Sequence, residues 1–443
     1  MARSTSLDLR IDSDQKQTTM PAKAASQFKL LPLFAFVNVV LFIIYSIVSL
    51  YYETTIIDLF IFQVPDPPWM PVEGLRETVM GVHHFGDLKI WFGYAAAENP
   101  YLPPVKHYAH APALCTLLFR SLLEIAGGQI AGWTGAFSLY MLLQTAVLAV
   151  TVTRIRRAYF PDINTLAWLI LIVTSPGVLA AIDRGGTHII AACLAFNYFL
   201  DDPTDSKYRG AVMISLAVVL KPYFIVCIFF SIVFGRWREY LRQVLIVMVL
   251  IFAPFLLLSR PFASIEGWLT AMSYHEFGGR SLVKSVSFLA ALDRVSIAGF
   301  LSNAFDGNFV NTGRAVAVAY SLMVIIIILR TRSHSLSVLL LMSCTSFLVP
   351  LSYWYVTAWI PIALPVILRV RIEPIISKVF RTGRDLFSSG LICQMIFIPL
   401  YGSTGAITTF SNPISQLLVL AGVIAMASYL VFDFLLPKTS GMT

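Results

Sequence analysis

The feature that most constrains this chain is a succession of long apolar runs whose charges, Arg314 and Asp433 apart, lie between them and not within them. Twelve such runs occupy residues 30–51, 133–153, 163–182, 187–200, 210–220, 223–235, 243–258, 313–329, 336–352, 354–368, 387–401 and 415–436. A hydrocarbon layer admits only backbone whose hydrogen bonds close internally, and about 20 apolar residues close them as one helix. Of the 443 residues, 57% are hydrophobic and 13% charged, against about 25% charged in an ordinary soluble domain. The alternating segments of about ten residues that mark a transmembrane barrel are absent. The pattern therefore predicts an all-α, polytopic transmembrane helix bundle with about twelve spans. The runs 187–200, 210–220 and 223–235 are short, and short helices in a large bundle usually line a cavity. A further apolar stretch, 112–126, is too brief for an ordinary span and is expected not to cross.

Orientation follows from where the cations sit. Arg154, Arg156 and Arg157, then Lys207 with Arg209, Arg236 with Arg238, Arg330 with Arg332, and Arg369 through Arg384 all fall on one side if the N-terminus is inside. The net charge of +8 is thus a topological signal, with no nucleic-acid partner implied. Residues 1–28 are polar and predict a disordered cytoplasmic tail. Residues 29–370 form the main transmembrane module with two long outer loops, 52–111 and 259–312. Residues 371–443 form a C-terminal transmembrane hairpin and a short cytoplasmic tail. Five scattered cysteines show no C-x-x-C spacing and predict buried thiols.

Chemistry must come from a few polar islands. The first is His83-His84-Phe85-Gly86-Asp87-Leu88-Lys89-Ile90-Trp91, followed by Tyr94, Glu98-Asn99-Pro100-Tyr101 and Tyr108-Ala109-His110-Ala111-Pro112. Residues 72–97 predict one or two short helices on the membrane surface. Asp87, at the membrane boundary, can accept a proton from a sugar hydroxyl, the task of a general base. Tyr94, Asn99, Tyr101, Tyr108 and His110 offer ring faces and hydrogen-bonding groups suited to a sugar. A solvated loop aspartate is the plain alternative. The histidines lack the ligand spacing of a zinc site, no nucleotide-binding glycine loop is present, and no metal or cofactor is expected.

The second island is Ser175-Pro176 and Ile182-Asp183-Arg184-Gly185-Gly186-Thr187-His188. An arginine at the head of two helices suits a phosphate, and two glycines allow close backbone approach. A turn with a snorkelling arginine is the alternative. The third is Leu220-Lys221-Pro222-Tyr223, where an ionisable residue sits between apolar runs, away from the cation clusters. The fourth is Val349-Pro350-Leu351-Ser352-Tyr353-Trp354-Tyr355, which also reads as an interfacial aromatic belt. In the second loop, Tyr274-His275-Glu276-Phe277-Gly278-Gly279-Arg280 is the densest polar cluster, and 281–292 predicts an interfacial helix.

The order Asp87-Leu88-x-x-Trp91, Asn99-Pro100-Tyr101 and Tyr108-x-x-Ala111-Pro112 resembles the first outer loop of GT-C membrane glycosyltransferases. It is most similar to the bacterial family that uses polyprenyl-phosphate-mannose, which includes the mannosyltransferases of phosphatidylinositol-mannoside synthesis. The Arg184-Gly185 pair, Lys221-Pro222, and Pro350 with Ser352 match later motifs of that family. Tyr108-Ala109-His110 stands where the family has Tyr-Pro-Pro. Asp183 and His188 replace usual neighbours, and the histidine that follows the fourth motif is missing, leaving Tyr355 or a histidine from elsewhere in the chain as its substitute. The resemblance implies a GT-C bundle in a bacterial plasma membrane, with Asp87 as catalytic base and Arg184 and Lys221 at the donor phosphate. It implies a hexose, mannose by this likeness, passed from a polyprenyl-phosphate donor to a glycan or glycolipid acceptor on the outer face by inverting single displacement. A non-enzymatic transporter or flippase of a lipid-linked sugar stays open, as does a glycan polymerase or ligase.

Overall fold

The computed structural model describes residues 30–51, 86–102, 112–128, 133–184, 186–201, 208–277, 309–347, 354–373, 377–395, 400–401, 407–408 and 413–435. These are helical apart from turns and one short antiparallel pair, β1 (Leu400–Tyr401) and β2 (Ile407–Thr408). The α-helices are α1 (Leu30–Tyr51), α2 (Gly86–Ala96), α3 (Ala113–Ile125), α4 (Trp133–Tyr159), α5 (Thr165–Thr174), α6 (Pro176–Arg184), α7 (His188–Phe199) and α8 (Arg209–Leu220). There follow α9 (Phe229–Val233), α10 (Trp237–Phe252), α11 (Pro261–Phe277), α12 (Phe309–Thr331), α13 (His334–Phe347), α14 (Trp359–Ile362), α15 (Leu364–Ile372), α16 (Lys378–Met395) and α17 (Pro413–Leu435). Three described helices are long and apolar enough to cross a membrane, within Gly135–Tyr159, Trp237–Leu257 and Ile414–Leu435; α5 and α6 together make a fourth if the bent pair counts as one span.

Proline decides where the predicted runs break. The run 163–182 is two helices bent by 62° at Ser175-Pro176. A residue before proline is pushed out of the helical region, and Ser175 sits at φ −74, ψ 140. Asn164 caps the start of α5 by accepting from the Ala167 N–H at 3.0 Å. The run 223–235 is a 3₁₀ turn, Pro222–Ile228, leading into the five-residue α9. The run 354–368 is a 3₁₀ turn, Trp354–Thr357, then α14 and α15. Pro365 has no N–H to give the carbonyl of Pro361, and the indole of buried Trp168 donates to that oxygen instead at 2.8 Å. Residues 261–277, expected within a loop, form the helix α11. The predicted surface helix 281–292 lies outside the described residues.

The main core gathers α1, α4, α5, α7, α8 and α12 to α17 around Trp168, Trp359, Phe196 and Phe387. A second, aromatic core holds Trp91, Phe92, Tyr94, Tyr101, Phe119, Tyr140, Phe255 and Trp268. It seats α2 against α3, α4 and the start of α11. Large apolar side chains such as Phe36, Leu142, Leu245 and Phe432 point outward, the exposure expected where bilayer is the solvent. One end of the bundle carries a polar lock. The buried carboxylate of Asp201 pairs with Arg209 and, at 3.4 Å, with Arg154, whose guanidinium also donates to Asn197 Oδ1 at 2.7 Å. In the C-terminal hairpin, Gly383, Gly390 and Gly422 bring the backbones of α16 and α17 into contact.

Candidate active site

His188 and Lys221 lie at the end of the α7–α8 pair opposite the Asp201 lock. Asp201 follows the end of α7 and Arg209 starts α8, whereas His188 starts α7 and Lys221 follows the end of α8. Two hydrogen bonds hold this end. Tyr140 Oη donates to the carbonyl of Gly186 at 2.9 Å, which fixes the turn between α6 and α7. Thr187 Oγ1 donates to the carbonyl of Leu220 at 3.3 Å, which ties that turn to the end of α8. Lys221 stops α8 because Pro222 follows it; its backbone is extended at φ −147, ψ 102. The Lys221 side chain is half-buried. His188 is buried, and its ring stacks on Tyr223 with centroids 5.9 Å apart.

Asp183 and Arg184 are the last two residues of α6. Asp87 is the second residue of α2. Helix α2 packs against α6 and α3. The link runs through aromatic rings: Trp91 stacks on Phe119 at 6.0 Å, and Phe119 meets Tyr140 at 5.7 Å, whose hydroxyl holds Gly186. The 3₁₀ turn that contains Tyr355 packs on α6, where Gly177 leaves room for Thr357. A Cβ at position 177 would stand 2.5 Å from Thr357 Oγ1. The α6–α7 turn thus meets the end of α8, α2 packs on α6, and the Trp354–Thr357 turn lies against the start of α6 at Gly177.

Three predicted sugar contacts are spent inside the protein. Tyr94 is 1% exposed and Tyr101 is fully buried. Tyr101 Oη shares a hydrogen bond with Thr116 Oγ1 at 3.0 Å. Burial pushes both phenols well above their ordinary range, so both stay protonated. The Asn99 amide donates to the Ser259 carbonyl at 2.6 Å and to Ser264 Oγ at 2.8 Å, while its oxygen accepts from the Tyr101 N–H at 3.1 Å. This burial and these bonds anchor the first loop. Tyr108 and His110 lie outside the described residues. Arg120 escaped the sequence reading, although a cation inside an apolar run is a signal. Among the described residues no group of three or more His, Cys, Asp or Glu side chains is placed to hold a metal ion.

Residues 112–352, just over half of the chain, match the family model of glycosyltransferase family 87. That stretch contains Asp183, Arg184, His188 and Lys221, while α2 precedes it. No curated protein and no solved structure gives a significant match.

Proposed function

The chain belongs to glycosyltransferase family 87 and is an integral-membrane glycosyltransferase; on that premise we propose that it transfers a hexose, mannose first among candidates, from a polyprenyl-phosphate donor to a glycan or glycolipid acceptor on the outer face. Family membership disfavours the flippase alternative. The carboxylate of Asp87 takes the proton of an acceptor hydroxyl. That oxygen attacks the anomeric carbon from the face opposite the phosphate. The carbon–oxygen bond to phosphate breaks, the polyprenyl phosphate leaves with the bonding electrons, and the anomeric configuration inverts.

Arg184 and Lys221 stabilise the charge that grows on the leaving phosphate, a contribution that is often a large share of such a barrier. Charge-assisted hydrogen bonds to phosphate are each worth about 1.5–3 kcal/mol. His188 and Asp183 shape the sugar pocket beside them, and Tyr355 borders it from the late turn. Tyr94, Asn99 and Tyr101 hold the loop.

The observation that supports this reading is the packing of α2 on α6, with the α6–α7 turn held by the Tyr140–Gly186 bond and tied to the end of α8 by the Thr187–Leu220 bond. It is tested by incubating purified protein with polyprenyl-phosphate-mannose and a panel of glycolipid acceptors, with product detected by mass spectrometry. A mannosylated product of inverted configuration is expected. Transfer only from another polyprenyl-phosphate sugar would replace mannose. Transfer only from a soluble nucleotide sugar would overturn the donor class.

A further inference from the structure

Helix α2 is held at the end far from Asp87 by two side chains that the reaction scheme does not use. Arg120, on α3, donates from Nε to the Ala95 carbonyl at 2.9 Å and from Nη2 to the carbonyls of Ala97 at 2.5 Å and Glu98 at 3.4 Å. The last carbonyls of a helix have no partner of their own and carry its negative pole, so one guanidinium both satisfies and neutralises this end. Directly after it, Asn99 bonds Ser259 and Ser264 at the start of α11 and closes on the Tyr101 N–H. Ser264 Oγ in turn donates to the carbonyls of Ser259 and Arg260. At Gly267 of α11 an added Cβ would collide with the Tyr101 carbonyl, so the turn lies directly on that helix.

We propose that Arg120 and Asn99 are positioning residues for transfer: they fix the tilt and register of α2, and through it the placement of Asp87. This rests on Asp87 being the base. With a rise of 1.5 Å per residue, Asp87 lies about 13 Å along the axis from the clamped end. A tilt of about 10° at that end moves it by about 2 Å. A base must come within hydrogen-bond reach of its proton, and a misplacement of about 1 Å costs on the order of 100-fold in rate. The aromatic stack of Trp91 on Phe119 holds the middle of the helix, but ring faces slide where a fork of three hydrogen bonds does not.

The test uses the full chain in lipid nanodiscs, with Arg120→Ala, Arg120→Lys, Asn99→Ala and Asp87→Asn beside wild type. Transfer from polyprenyl-phosphate-mannose gives kcat and donor KM, and amide hydrogen exchange reads the segment Gly86–Ala96. Arg120→Ala should lower kcat 10- to 100-fold with donor KM changed less than threefold. Exchange in Gly86–Ala96 should accelerate while that in α13 stays as in wild type. Asn99→Ala should shift both readouts the same way by less, and Arg120→Lys, which keeps the charge, should recover part of kcat. Unchanged exchange in Arg120→Ala and Asn99→Ala overturns the clamp. Faster exchange with wild-type kcat, while Asp87→Asn is inactive, overturns the positioning role. Wild-type turnover by Asp87→Asn instead overturns the base assignment, and the exchange data then identify that as the part that failed.

Discussion

The C-terminal hairpin offers a prediction whose size can be worked from contacts. A Cβ added to Gly422 would lie 2.5 Å from the Gly383 carbonyl oxygen, 2.5 Å from the Phe387 nitrogen and 2.8 Å from the Phe387 Cα. Ordinary contact begins at 3.4 Å, so α16 and α17 must part by roughly 1 Å. The obstacles are backbone atoms, which cannot rotate away, so overpacking falls in the upper part of its usual range, about 2–3 kcal/mol. Alanine recovers about 1 kcal/mol of helix propensity over glycine. Gly422→Ala should therefore weaken the hairpin by about 1–2 kcal/mol, a factor of about 5–30 in the opening equilibrium. Cys393, half-buried on α16, reports that opening, and Cys193 in the main core serves as the internal control. Thiol labelling in nanodiscs should speed up by that factor at Cys393 and stay unchanged at Cys193. Labelling at Cys393 that is unchanged or slower would show that propensity outweighs the clash and that the backbones do not touch.

Other outcomes follow from the same structure. Arg184→Ala and Lys221→Ala should each raise the donor KM or lower kcat/KM by about 10- to 150-fold, the worth of one charge-assisted hydrogen bond; unchanged donor dependence in steady-state kinetics removes that residue from the phosphate. Trp168→Phe leaves the Pro361 carbonyl unpaired in the core and should destabilise the protein by about 1–3 kcal/mol in a thermal unfolding assay; an unchanged midpoint means the indole bond carries no weight. A cysteine introduced at Ile90 should react with a membrane-impermeant reagent from the outside only, and labelling from the cytoplasm reverses the topology.

The hydrophobic runs made the helices legible because burial in a bilayer and burial in a core demand the same apolar residues. What those runs hid is where proline divides them. The stretch 163–182 looks continuous by hydropathy, yet Pro176 turns the chain by 62°. Helix α11 was missed because Glu266, Ser264 and Tyr274 interrupt its apolar pattern; it is a helix that holds a loop, not a span. Among the candidate residues, Arg184, His188 and Lys221 were legible as polar groups at apolar boundaries. Tyr94, Asn99 and Tyr101 are ambiguous in sequence because a sugar and a tight aromatic core ask for the same ring faces and amides. Only the three-dimensional partners, Thr116 and Ser264, separate those uses. Arg120 was visible as a lone cation in 112–126, but its partners are backbone carbonyls, which no side-chain pattern announces.

The most direct test of the central claim is sugar transfer by purified protein from polyprenyl-phosphate-mannose, wild type beside Asp87→Asn, with folding matched by thermal unfolding. The account predicts robust transfer by wild type and a loss of at least about 100-fold in the variant, the scale of general-base catalysis. Wild-type turnover by a well-folded Asp87→Asn protein would contradict it.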